Sequence, residues 1–253
     1  MKQTDDSVWR EAWRNVLAGC SGKVFFFDLD GTVWDDILVV LNEVFGPVDD
    51  TTGEKKWKQY DRAFKVLNTM TNGAHLEAEY RDLLTKKTIG ELIAWLKANH
   101  RLVPGIKDFL KLLADNDITA VAISNGAYEI ADEMLHHHDI VMPRVCNSLV
   151  MEDGRFTRLA FFHDEHEGIR KGDLVDMAVE LGYEVVGCAG DSKGDVGLYT
   201  QTVKAGGIVI AVNNHGLSTY LAENADKFDV NNWLSVSDYA DAIGAIRSRV
   251  AGN

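Results

Sequence analysis

At 253 residues, with 46% hydrophobic and 26% charged side chains, the chain has an ordinary globular balance and enough length for one large domain, alone or with an insertion. Its 26 Lys and Arg stand against 39 Asp and Glu for a net charge of −13, with no basic cluster to track a phosphate backbone, which argues against nucleic acid as a partner. No apolar run approaches the roughly 20 residues of a membrane span, so no membrane association is expected.

The opening MKQTDDSVWREAW lacks the apolar stretch of a signal peptide, and a cytoplasmic location is expected. Within residues 7–18, Val8, Trp9, Ala12, Trp13, Val16 and Leu17 fall at helical spacing before Gly19, predicting an amphipathic helix whose tryptophans dock on the protein's own core. Residues 24–34, VFFFDLDGTVW, then read as a buried strand, Val24 to Phe27, that ends abruptly in Asp28, Leu29, Asp30, Gly31 and Thr32. Alone, such aspartates could simply cap a turn.

From residue 35 to about residue 100 the pattern is helical. Stripes at Ile37, Leu38, Leu41, Val44 and Phe45, at Trp57, Tyr60, Phe64 and Leu67, and at Leu76, Tyr80, Leu83 and Leu84 predict three helices. Thr88 with Glu91 forms a capping box for a fourth. Four helices inserted after one strand suggest a small separate bundle with its aromatics in its core. Past Pro104 and Gly105 helix and strand alternate: strand residues 118–124 end in Ser124, Asn125 and Gly126, and a helix is expected from Ala127 to Leu135. Glu152, Asp153 and Gly154 mark a hairpin turn. Later elements are a helix from Lys171, a strand over residues 184–191 ending in Gly190 and Asp191, a strand over residues 208–213, and helices over residues 196–205, 217–224 and 236–250.

In a parallel sheet these strand ends share one edge, where open α/β folds bind ligands, so Asp28, Asp30, Ser124 and Asp191 can converge. Asp195 follows through Ser192, Lys193 and Gly194 and can point back to the same place. Asp28-Leu29-Asp30-Gly31-Thr32, Ser124, Lys171 and the segment from Gly190 to Asp195 together resemble the four motifs of the haloacid dehalogenase superfamily, in order and spacing, over residues 23–34 and 104–214. The hairpin and the Lys171-Gly172-Asp173 helix start look most like its phosphoserine-phosphatase-like branch. The resemblance implies a Rossmann-like, doubly wound, mostly parallel α/β core (residues 23–34 and 101–253), an α-helical cap (residues 35–100) and an N-terminal extension (residues 1–22).

It also implies phosphoryl transfer from a small phosphorylated metabolite. A phosphate monoester entering a site with four aspartates meets like charges that cost roughly 4 kcal/mol each at 4 Å and an effective dielectric of 20, more than one lysine offsets. Mg²⁺ is therefore expected, held by the carboxylates of Asp28 and Asp191 and the backbone carbonyl of Asp30. In that reading Asp28 attacks phosphorus to give an aspartyl-phosphate, and Asp30 protonates the alkoxide and later takes a proton from water. Ser124, Asn125, Gly126 and Lys171 hold the phosphoryl group, and Asp195 orients the metal shell and Lys171. Dehalogenating members lack the acid that Asp30 supplies, so a phosphatase ranks first, a phosphomutase second and a non-catalytic phosphate-binding module third.

Other features carry less. Phosphoserine phosphatases place a glutamate where Ile37 stands; Asp35, Asp36, Arg62 and Arg81 are the candidates to meet such a substrate's amine and carboxylate. His163, Asp164, Glu165, His166 and Glu167 read as a solvated loop rather than a zinc site, and His136 to His138 splay around a helix end. Cys20, Cys146 and Cys188 lack CxxC spacing and read as buried thiols. Neither GxGxxG after a strand nor GxxxxGK[ST] occurs.

Overall fold

Val24 to Phe27 are fully buried, and their side chains alternate between two cores: Phe25 and Phe27 on one face, Val24 and Phe26 on the other. The structure, a computed structural model, describes residues 6–65, 67, 69–163, 168–212, 217–224 and 233–251. The run forms β1 (Lys23–Phe27); the other strands are β2 (Ile118–Ala127), β3 (Arg144–Glu152), β4 (Arg155–Ala160), β5 (Glu184–Gly190), β6 (Ile208–Val212) and β7 (Trp233–Val236). Their order is β4-β3-β2-β1-β5-β6-β7, parallel throughout except for the β3–β4 hairpin. This is the α/β, doubly wound, mostly parallel sheet that the family resemblance implies.

The first face of the sheet is covered by α6 (Ile106–Ala114), α7 (Tyr128–His137) and α11 (Tyr239–Ala251). Phe109 meets Phe25 edge-on at 5.4 Å. The opposite face is covered by α1 (Asp6–Leu17), α8 (Lys171–Glu180), α9 (Val196–Lys204) and α10 (Leu217–Glu223). The tryptophans of α1 dock as expected: both are buried, and Trp13 Nε1 donates to Leu174 O at 2.9 Å.

Between β1 and α6 the chain forms the four helices α2 (Ile37–Phe45), α3 (Lys56–Lys65), α4 (Asn72–Lys86) and α5 (Ile89–Asn99). The Thr88–Glu91 capping box forms with both of its hydrogen bonds. Tyr80, Leu83, Leu92 and Leu96 are buried in the same cluster as Phe25 and Phe27, so these helices share apolar contacts with the sheet's first face. Polar contacts add to this: Leu159 N donates to Glu77 Oε2 at 3.3 Å, and Lys97 pairs with Glu133 at 2.6 Å. The α3 stripe departs from expectation. None of its residues is buried and Leu67 is exposed, because α3 packs chiefly on α4, through Tyr60–Asp82 and a stacked Phe64–His75 pair, and its outer flank faces solvent.

Three other features differ from the sequence reading. β2 runs on to Ala127, where it pairs with Asn147 after a register shift beyond Ile123, so α7 starts one residue later and Ser124 to Gly126 form an irregularity inside the strand. β7 lies where the helix over 236–250 was expected to begin, since Val236 pairs with Val212. His163 is buried against Trp9, with ring centroids 4.2 Å apart, rather than solvated; Asp164, Glu165, His166, Glu167 and Asn213 lie outside the described residues. The hairpin turn forms at Asp153 (φ 49°) and Gly154 (φ 75°), as its sequence demands. Among the described residues no helix is long and apolar enough to cross a membrane.

Candidate active site

With β1 between β2 and β5, the carboxyl ends of these three strands are neighbours. Phe27 stands opposite Ala122 of β2 and Ala189 of β5, and Asp28 N donates to Ala189 O at 2.9 Å. The backbone register thus sets Asp28 beside Asp191 on one flank and the Ser124 segment on the other.

Lys171, the first residue of α8, is buried and reaches Asp28 Oδ1 at 2.7 Å and Asp195 Oδ1 at 2.6 Å. Asp195 is fully enclosed and has both oxygens engaged: Oδ2 accepts from the amides of Asp191 (3.3 Å) and Ser192 (3.1 Å) and from the Ser192 hydroxyl (3.3 Å). These bonds fix the turn after β5, so Asp195 positions both Lys171 and the loop that carries Asp191. One carboxylate oxygen from each of Asp28, Asp191 and Asp195 lies within 4.8 Å of the other two.

Asp30 faces elsewhere. Its Oδ1 accepts from Trp34 Nε1 at 2.9 Å, while Oδ2 lies near Gly126 and Ser124, since a Cβ built on Gly126 would meet these two oxygens at 2.9 and 3.2 Å. Ser124 Oγ accepts from Gly126 N at 3.0 Å. Asn125 spends its side chain on structure: its Oδ1 accepts from Ile169 N at 2.8 Å, just ahead of Lys171, and its backbone carbonyl accepts from Asn147 at 2.8 Å.

Charge crowding perturbs the acids. Burial, opposed by Lys171 and reinforced by Asp195, pushes Asp28 up to about 7. Asp30 rises to about 7 through burial and the charges of Asp36 and Asp28. Asp191 rises to about 9, again through burial first and then Asp28 and Asp195. For Lys171 burial acts downward, but Asp195 and Asp28 outweigh it and hold the ammonium above its ordinary value.

Gly31 has φ +73°, and a Cβ there would sit 2.3 Å from Asp191 Oδ2. Gly31→Ala is therefore expected to destabilise the fold, by about 1–3 kcal/mol from backbone strain with the clash in addition, read as a lowered midpoint in urea unfolding.

Three residues near the site had no role in the sequence reading. Trp34, four residues past Asp30, orients that acid. Asn147 clamps the Ser124 segment. Tyr80, from α4, accepts the Ala127 amide at 2.9 Å. Arg62 and Arg81 are engaged elsewhere, Arg62 with Glu54 at 2.7 Å and Arg81 with Glu77 at 2.5 Å and Thr157 O at 3.2 Å. Asp36 caps α2 through Val39 N at 3.0 Å, and its charge is felt at both Asp30 and Asp191.

The family model described as haloacid dehalogenase-like hydrolase matches residues 25–199. Among solved structures, a substrate-bound phosphoserine phosphatase complex is similar at TM-score 0.60 and 16% identity, over 88% of this chain and 97% of that one. A phosphoserine phosphatase with a phospho-aspartyl intermediate analogue gives 0.57 at 16% identity, over 88% and 98%. A phosphoserine phosphohydrolase-like protein from Francisella tularensis subsp. tularensis SCHU S4 gives 0.59 at 16% identity, over 88% and 99%. At these identities the likeness is one of fold. No curated protein matches by sequence.

Proposed function

This chain belongs to the haloacid dehalogenase-like hydrolases, and on that premise we propose that it is a Mg²⁺-dependent phosphatase that hydrolyses a small phosphate monoester through an aspartyl-phosphate on Asp28, with residues 35–100 as its cap. The observation that carries this reading is the buried set of Asp28, Lys171 and Asp195 beside Asp191, with a separate acid, Asp30, on the other side of the nucleophile.

A hard divalent cation fits the donor set. Three buried carboxylates converge and among the described residues one cation, Lys171, touches them, so charge remains uncompensated. Asp28 and Asp191, with the backbone carbonyl of Asp30, would hold Mg²⁺; both oxygens of Asp195 are already committed. Bound there, the ion would offset the negative charge of the carboxylates and of a phosphoryl group.

The chain's own groups account for the rest. Lys171 holds Oδ1 of Asp28, leaving Oδ2 to attack phosphorus. As the Oδ2–P bond forms and the P–O ester bond breaks, the departing alkoxide takes the proton on Asp30 Oδ2, since Trp34 already occupies Oδ1. A carboxyl group near pKa 7 is suited to this task, because it donates in the first step and accepts from the attacking water in the second. That water releases phosphate and restores Asp28. Ser124, the Asn125 and Gly126 backbone and Lys171 supply donors to the phosphoryl oxygens.

Turnover of a panel of phosphate monoesters with Mg²⁺ tests the proposal, and no turnover of any ester would favour a non-catalytic phosphate-binding module. Metal dependence has a second readout in stability. Asp28, Asp30 and Asp191 all sit above the ordinary carboxylate range, so the metal-free native state binds more protons than the unfolded chain between about pH 4 and 9. Its stability is greatest below the unfolded-state values and falls as pH rises through 7 and then 9. A chelated sample is expected to melt lower at pH 8 than at pH 5, and added Mg²⁺ to raise the melting temperature more at pH 8. Equal shifts at the two pH values would count against carboxylate ligation.

A further inference from the structure

The loop after β1 turns back on its own acid. The Leu29 carbonyl accepts from the amides of Thr32, Val33 and Trp34 at 3.1, 2.8 and 3.4 Å, which coils the segment tightly enough for the Trp34 indole to reach Asp30 Oδ1. Where residues 35–100 begin and end, the chain then pairs with itself. Val103 N donates to Val33 O at 2.9 Å, Asp35 N donates to Arg101 O at 3.3 Å, and Trp34 forms an antiparallel bridge with Leu102. His100 closes this two-stranded ribbon. It is the C-cap of α5, it is buried, and its Nε2 donates to the Asp35 carbonyl at 2.8 Å, so the imidazole proton sits on that nitrogen. Burial holds the ring below its ordinary value, which keeps it neutral in this tautomer. The same ring meets the Trp34 indole edge-on, with centroids 6.3 Å apart and planes at 73°.

We infer that His100 is a positioning residue for Asp30, acting through Trp34 to hold the acid's carboxyl group in one orientation. The inference rests on the phosphatase reading and adds to it a residue supplied from the far end of the inserted helices. A carboxyl group turns about its side-chain bonds, and proton transfer needs Oδ2 to stay aligned with the departing oxygen. The indole takes the other oxygen at 2.9 Å and so fixes the rotation. It can do this only while it is itself held. The ribbon holds the Trp34 backbone and His100 abuts its ring, one side chain that touches both the ribbon and the indole. Without that imidazole the Asp35 carbonyl loses its side-chain donor, and a void opens beside a fully buried indole that can shift into it. A shift of about 1 Å at a reacting group can cost about 10²-fold in rate.

The test compares kcat/KM, which reads formation of the aspartyl-phosphate, on glycerol 2-phosphate and para-nitrophenyl phosphate with Mg²⁺. The alkoxide of the first needs a proton as it leaves, whereas the nitrophenolate of the second departs as the anion. His100→Ala is expected to lose about tenfold on the alkyl ester and about twofold or less on the aryl ester, and Trp34→Phe to show the same imbalance. Adding His100→Ala to Trp34→Phe should then change the ratio between the esters by less than about twofold, since the path is already cut. His100→Gln keeps a donor for the Asp35 carbonyl but no ring against the indole. The same imbalance, in smaller degree, is expected of it, and it carries the comparison if the alanine variant does not fold. No loss on the alkyl ester, or an equal loss on both, would mean that His100 at most supports the fold. A full further loss in the double variant would mean that it does not act through Trp34. Either result overturns the assignment and leaves the phosphatase. Failure of wild type to turn over any ester of the panel would overturn the phosphatase reading and this assignment with it.

Discussion

Asp28→Asn is expected to lower kcat by about 10³-fold or more on any ester the wild type accepts, because a carboxamide cannot serve as the attacking nucleophile. The substitution keeps the shape of the side chain, and charge arithmetic says that it keeps the fold. Asp28 is one of the groups driving Asp191 upward, so a neutral side chain relieves that repulsion. Lys171 keeps Asp195 as its partner at 2.6 Å. The metal-free variant should therefore melt no lower than wild type at pH 8, separating loss of chemistry from loss of structure. Acid-quenching after exposure to an ester labelled in its phosphoryl group supplies the direct check: wild type retains label on protein and Asp28→Asn does not. Equal labelling would move the covalent step to another residue.

What could be read from the chain and what could not divide along physical lines. Buried parallel strands announce themselves as apolar runs, and the polar residues that interrupt them mark the sheet edge. That is why Asp28, Ser124 and Asp191 stood out in the sequence and why the register then sets them side by side. Lys171 was legible only through the family pattern, since a lysine opening a helix is ordinary on a surface, yet here it is buried between two carboxylates. Helical periodicity states which face of an element is apolar but not what lies opposite. The stripe containing Tyr80 therefore gave no hint that its hydroxyl would reach the Ala127 amide across the fold. Trp34 could have been noticed, four residues after Asp30 at the end of the same motif. β7 escaped because four residues with a central serine are too short for a pattern, and its strand character comes from pairing with β6.

Lys171→Met tests how the site holds its charges together. Removing the cation leaves Asp28 and Asp195 buried without a partner ion, a change expected to cost about 3–5 kcal/mol of stability at pH 8. The cost should shrink as pH falls. Lys171 opposes the upward push of burial on Asp28, so its loss raises that carboxyl further. A group whose folded value lies above its unfolded one contributes stability that is complete below the unfolded value and disappears as pH rises through the folded one. The gap between variant and wild type in urea unfolding is thus wider at pH 8 than at pH 5, and a constant gap would mean that the lysine acts through packing alone. Activity with Mg²⁺ should also fall, by about 10²- to 10³-fold, as charge on the phosphoryl oxygens loses its cation. The double variant Asp28→Asn, Lys171→Met separates the two roles. If Lys171 stabilises the fold mainly by pairing with Asp28, the double variant is more stable at pH 8 than Lys171→Met alone, because one of the two stranded charges is gone. If Asp195 is the main partner, the second substitution recovers little.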